Sequence, residues 1–125
     1  MRKVLSTELA PAAIGPYSQG IETEKYVFTS GQIPIDPRTG KIAAETIEAQ
    51  TEQVMHNLKT ILAESGVGMD RIVKTTCYLT DMGDFAAFNA VYAKSFLENP
   101  PARSCVQVAA LPMGAKVEVE CIAVR

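Results

Sequence analysis

The chain is 125 residues long, 47% hydrophobic and 21% charged, with Lys+Arg 12 against Asp+Glu 14 and a net charge of −2. Those values predict one globular domain, residues 1–125, and exclude a disordered or low-complexity chain. A slightly acidic balance also lacks the clustered basic footprint of a nucleic-acid binder.

The N-terminal stretch MRKVLSTELAP has no apolar core of signal-peptide length, and no segment is long enough to cross a bilayer. Cys77, Cys105 and Cys121 are far apart and odd in number, which fits neither a metal-ligand spacing nor a disulfide framework. Reduced thiols in a cytoplasmic protein with no membrane association are the expectation.

Short strands are predicted at Lys3–Ser6, Ser18–Glu22 and Tyr26–Ser30, each bounded by Pro, Gly or charged residues. The stretch SGQIPIDPRTG must then be a loop, with Pro37-Arg38-Thr39-Gly40 a turn. From Thr46 to Ser65, Ile47, Val54, Leu58, Ile61 and Leu62 recur at helical spacing, and Gly66 and Gly68 mark where such a helix stops. RIVKTTCYLTD reads as a strand with Val73, Thr75, Cys77 and Leu79 on one side. A second helix is predicted to start near Asp81 or Gly83, with Phe85, Phe88, Tyr92 and Phe96 as its buried stripe and Asn99-Pro100-Pro101 as its end. Strands at Ser104–Ala110 and Lys116–Val124 flank the turn LPMGA.

The order β-β-β-α-β-α-β-β predicts an α+β domain with two helices laid on one sheet. Two helices cover one face only, yet apolar residues point both ways. Ile72 and Tyr78 lie opposite Val73 and Leu79, and Ile122 and Val124 lie opposite Val119 and Cys121. With no third layer in the chain, the expected cover for the second face is another copy of the same protein.

Chemistry can be narrowed by elimination. The single histidine, His56, falls away from the apolar stripe of the first helix, which leaves no zinc site and no Ser-His or Cys-His pair elsewhere. Glycine-rich phosphate loops of either common spacing are absent. Any enzyme here would work with Arg, Glu, Tyr, Ser, Cys and water, and no cofactor is expected.

In KVEVECIAV, alternation puts Glu118, Glu120, Ile122 and Val124 on one face, a carboxylate mouth giving way to an apolar interior. Glu118 reads as exposed at the strand end; Glu120, one step deeper, is balanced between an exposed and a functional residue. Arg103, Cys105 and Gln107 share a face of the preceding strand. A hairpin between the two strands would run Arg103 and Cys105 alongside Glu120, so that guanidinium and carboxylate border one site. An arginine suits bidentate capture of a substrate carboxylate, and a glutamate can orient or deprotonate water. The bland alternative, an Arg–Glu ion pair serving only packing, is the more common arrangement. Cys105 has no base or helix N-terminus beside it and reads as a small buried hydrophobe.

APAAIGPYSQG (Ala10–Gly20), TSGQIPIDPRTG (Thr29–Gly40), FNAVY (Phe88–Tyr92) and NPPARSCVQVAALPMGAKVEVECIAV (Asn99–Val124) together resemble the RidA family, also called YjgF, in order and over the whole chain. The resemblance implies a chorismate-mutase-like fold, a homotrimer whose sheets form an inner barrel, and active sites in clefts between subunits. It also implies hydrolysis of 2-aminoacrylate and 2-aminocrotonate, or their imine tautomers, to 2-oxo acids and ammonia, protecting pyridoxal-phosphate enzymes. On that basis Arg103 binds the substrate carboxylate and Glu120 holds the attacking water. Tyr17 and Ser30 add hydroxyls, Gly31 and Cys105 line the pocket, and Asn89 stands nearby. Gln107 occupies a position where some members carry a charge. Two other readings are carried: RNA cleavage, reported for some relatives but unsupported by the charge and the lone histidine, and a non-catalytic sensor or chaperone binding a small carboxylate.

Overall fold

The computed structural model describes residues 1–125. In chain order it contains β1 (Lys3–Leu5), β2 (Gly20–Glu22), β3 (Tyr26–Thr29), α1 (Ile47–Glu64), β4 (Ile72–Leu79), α2 (Phe85–Tyr92), β5 (Ala102–Gln107) and β6 (Val117–Val124). This is the predicted β-β-β-α-β-α-β-β sequence. The strands make one sheet in the order β1-β2-β3-β6-β4-β5, antiparallel at every pairing except the parallel β4–β5 pair.

α1 forms where the periodicity demands it. Thr46 caps the N-terminus by accepting a hydrogen bond from the Ala49 N–H at 3.2 Å, and Gly66 ends the helix in a left-handed conformation with φ of 70°. Its face of Val54, Leu58, Ile61 and Leu62 is fully buried, in one core with Val27 of β3 and Val117 and Val119 of β6. The turn at Pro37–Gly40 is also present, closed by the Gly40 N–H donating to the Asp36 carbonyl at 2.8 Å.

α2 is shorter than the sequence suggested. It ends at Tyr92, and a 3-10 turn over Ala93–Ser95 carries the chain on to Phe96, so the stripe is shared between two elements. Phe88 and Tyr92 pack at 5.4 Å between ring centroids, and Tyr92 and Phe96 at 4.9 Å. Asn99-Pro100-Pro101 therefore lies well past the helix end, immediately before β5. In β4 the alternation is broken by a bulge between Ile72 and Lys74, which turns Val73 outward (42% exposed) and leaves Ile72, Thr75, Cys77 and Leu79 on the core side.

The largest departure concerns β5 and β6. They do not form a hairpin: β4 lies between them, parallel to β5 and antiparallel to β6. A strand that returns through a helix lies parallel to the strand it left, so α2 sets β5 beside β4, and the last connection crosses to β4's other edge rather than pairing β6 with β5. In register, Arg103 lies beside Thr75 and Cys121, whereas Glu120 lies beside Thr76 and Ser104. Arg103 and Glu120 therefore project from opposite faces of the sheet.

The helices cover the face that carries Thr75 and Cys121. The other face stays open and apolar: Val4, Tyr26, Phe28 and Val106 are 52%, 43%, 41% and 47% exposed. A second, small core of Ile33, Ile35 and Ala115, with Ile42 and Leu111 against it, stands apart from the main one.

Candidate functional site

Arg103 leaves edge strand β5 toward α2. Its guanidinium carbon sits 4.9 Å from the centroid of the Tyr92 ring, 5.4 Å from Phe85 and 5.9 Å from Phe88. The stripe that the sequence assigned to packing is also a platform beneath a cation. Tyr92 is itself fixed by a 2.7 Å hydrogen bond between its hydroxyl and that of fully buried Thr75. One guanidinium nitrogen donates to the Asn89 Oδ1 at 2.7 Å. None of the chain's ion pairs includes Arg103. The guanidinium is thus half-buried and oriented by aromatic faces and an amide, and its remaining donors are unclaimed. Cys105 lies on the same face; burial pushes its thiol up, against the opposing effect of Arg103, which keeps it neutral.

Tyr17, Ser30 and Gly31 converge elsewhere, on a cavity of about 330 Å³ whose apolar lining includes Ile33, Ile35 and Pro112. The backbone fixes the polarity of its hydroxyls. Ser30 donates to the Ser18 carbonyl at 2.6 Å, so it offers lone pairs to a ligand. Tyr17 accepts from the Ile14 N–H at 3.3 Å, so its own proton is free to be given.

The carboxylate in this cavity belongs to Glu118. A Cβ on Gly31 would meet its Oε2 at 2.5 Å, so only glycine lets the carboxyl lie against the loop. Burial, and secondarily the neighbouring Glu120, pushes the Glu118 carboxyl above the ordinary range. Glu120 is engaged differently: it accepts a 3.1 Å hydrogen bond from the Tyr78 hydroxyl on the open face, and it does not line the cavity. The burial of Tyr78 and its contact with Glu120 raise that phenol's pKa. Sequence alternation puts Glu118 and Glu120 on one face, and depth along the strand favoured Glu120 over an exposed Glu118; the structure instead half-buries Glu118 in the cavity. The distinguishing signal is non-local, the return of the Ser30–Gly31 loop over Glu118.

A family profile described as Endoribonuclease L-PSP matches residues 7–125. The 2-iminobutanoate/2-iminopropanoate deaminase of Salmonella typhimurium is 51% identical over 128 residues, covering 100% of this chain and 99% of that protein. Reactive Intermediate Deaminase A of Arabidopsis thaliana is 52% identical across 98% of this chain, which spans 65% of that longer relative. The chain belongs to the RidA/YjgF family. The crystal structure of Escherichia coli TdcF with bound serine superposes with a TM-score of 0.93 at 45% identity, covering 98% of both chains. The fold of this RidA/YjgF protein is thus the one that the motifs implied, while its seven expected site residues fall into separate groups. Arg103, Asn89 and Cys105 share the helix-covered face; Tyr17, Ser30 and Gly31 share the cavity; Glu120 stands on the open face beside it. No helix is long and apolar enough to cross a membrane.

Proposed function

We propose that the protein hydrolyses small 2-imino acids, including 2-iminopropanoate and 2-iminobutanoate formed from their enamine tautomers, to 2-oxo acids and ammonia. The observation that carries this reading is Arg103, an oriented, half-buried guanidinium with no carboxylate partner in its own chain. No ion pair within the chain claims it, and its free donors suit bidentate capture of a ligand carboxylate. The names of the Salmonella and Arabidopsis relatives and the serine bound to TdcF point to the same ligand chemistry.

A protonated imine is already electrophilic, so water needs orientation and a proton acceptor more than a strong nucleophile. Glu118 takes that part in place of Glu120. Its carboxylate receives a proton as water adds to the imine carbon, and the amine departs as ammonia when the tetrahedral carbinolamine collapses to the oxo acid. Ser30, with lone pairs turned outward, accepts from the iminium N–H, and Tyr17 gives its free proton to the departing nitrogen and takes back the proton that the carbinolamine hydroxyl loses as the carbonyl forms. Cys105 and Gly31 shape the pocket, and Asn89 holds Arg103.

One chain cannot present Arg103 and Glu118 to a single small acid, because they project from opposite sheet faces. The active site is therefore completed between copies in a homotrimer whose open sheet faces are buried together. Three unpaired cysteines suit a cytoplasmic setting. The ribonuclease reading lacks a paired general acid and base, since His56 is exposed on α1 and lines other clefts. Arg103→Ala should lower release of 2-oxobutanoate from dehydratase-generated intermediate by about 100-fold or more with the assembly intact, in line with loss of a charge-assisted clamp. Full activity in that variant would refute the reading, and binding of 2-oxobutanoate without turnover by the unmodified protein would make it a sensor.

A further inference from the structure

The apolar wall of the cavity is loop, not regular structure. Between the Gln32–Val119 bridge and the Asp36–Lys41 bridge, the chain carries Ile33 and Ile35 past the site in a tight bend closed by the Ile35 N–H to the Ile33 carbonyl at 2.8 Å. Both side chains belong to the small second core and line the cavity. That core is separate from the main one, so hydrophobic packing against α1 does not by itself fix the wall.

A single side chain bridges the gap. Asn57 of α1 is fully buried, and its Nδ2 donates to the Ile33 carbonyl at 3.3 Å and to the Ile35 carbonyl at 3.0 Å. Its Oδ1 accepts from the Gln53 Nε2 at 2.9 Å, which fixes the amide with its donors toward the loop. A buried amide in mid-helix is costly unless every group is paired. Here both ends are paired, and both donors go to the backbone of the wall. Gln50, two helical turns toward the N-terminus, holds the neighbouring loop by accepting from the Lys116 N–H at 2.9 Å.

We propose that Asn57 is a positioning residue that sets the apolar wall of the cavity, and with it the enzyme's discrimination among substrate side chains. This rests on the deaminase reading. The polar lining groups do not hang on Asn57: Tyr17 is held at Ile14, Ser30 at Ser18, and Glu118 stands on β6, so Asn57 acts on the side chain of the ligand and not on its reacting carbon. A wall held at van der Waals distance gains about fourfold in affinity for each methylene it buries. A wall released from α1 does not.

The test uses the stable product series pyruvate, 2-oxobutanoate and 4-methyl-2-oxopentanoate, titrated calorimetrically into the intact protein and into Asn57→Asp. The carboxylate of that variant cannot donate to Ile33 and Ile35. The expected result is a rise in affinity with side-chain length in the unmodified protein. In Asn57→Asp the rise flattens to less than about twofold per methylene, with pyruvate affinity within about twofold of the original. Unchanged length dependence in Asn57→Asp would overturn the proposal, as would an equal loss for all three acids, which marks general damage. If Asn57→Asp does not fold by circular dichroism, Gln53→Ala takes its place. That change frees the amide to turn, and a partial flattening supports the proposal while an unchanged slope overturns it. An unmodified protein that binds none of the acids refutes the deaminase reading itself, and the proposal with it.

Discussion

Glu118 and Glu120 are two residues apart on one strand face, yet Glu118 lines the cavity while Glu120 is held by the Tyr78 hydroxyl. Glu118→Gln should lower turnover by about 100-fold, the usual scale for losing a general base, while Glu120→Gln should stay within about threefold. Equal losses, or the reverse order, would restore Glu120 to the role that the sequence suggested. The pH dependence follows from the raised Glu118 pKa. The base must be ionised, so kcat/KM should climb with pH along a limb displaced above the ordinary glutamate value of 4.5, and Glu118→Gln should remove that limb. The sign for stability is opposite. The folded protein holds this proton more tightly than the unfolded chain does, so the group's contribution is greatest at low pH and declines as pH rises through the folded pKa. At this scale the sequence was informative about Arg103, whose position at a strand entrance marked it. It read Glu118 as exposed and favoured Glu120, because the loop that covers Glu118 lies some 90 residues earlier in the chain and leaves no local trace in the strand.

At the scale of elements, local signals were read where local physics rules. The cap at Thr46, the periodic face of α1 and the left-handed Gly66 all lie within a few residues of what they control. Thr46→Ala should accordingly lower unfolding free energy by about 1 kcal/mol, measured by urea denaturation, with activity retained. A change smaller than about 0.3 kcal/mol would show that tertiary packing alone holds that end. Gly31→Ala is the contrasting case. The new methyl must displace the Glu118 carboxyl, so activity should fall by at least tenfold with little change in melting temperature. What sequence reading missed was set by partners distant in the chain. The bulge that turns Val73 outward answers to β6, and the neighbour of β5 was decided by the crossover through α2 rather than by the short connection to β6. That one topological fact moved Arg103 to the face opposite Glu120.

For the molecule as a whole, the same fact becomes the strongest argument for assembly. An open sheet face carrying Val4, Tyr26, Phe28 and Val106 needs a cover, and the two halves of the site need to meet. The sequence already implied the first through apolar residues on both strand faces; the second required the strand order. Phe28→Asp, which puts a carboxylate in the middle of that face, should give monomers by light scattering and abolish activity together. A trimer that survives the change would place the interface elsewhere.

The central claim is that Arg103 of one copy and Glu118 of another serve the same ligand, and mixed assembly tests it directly. Arg103→Ala and Glu118→Gln proteins, each inactive alone, are unfolded together in equal amounts, refolded and assayed for 2-oxobutanoate release. A site shared between copies regains both groups wherever the two variants meet in the right order, about a quarter of sites at random, so activity should return to about a quarter of the original. A site contained within one chain is never repaired by mixing, and a mixture that stays as inactive as its components would contradict the account.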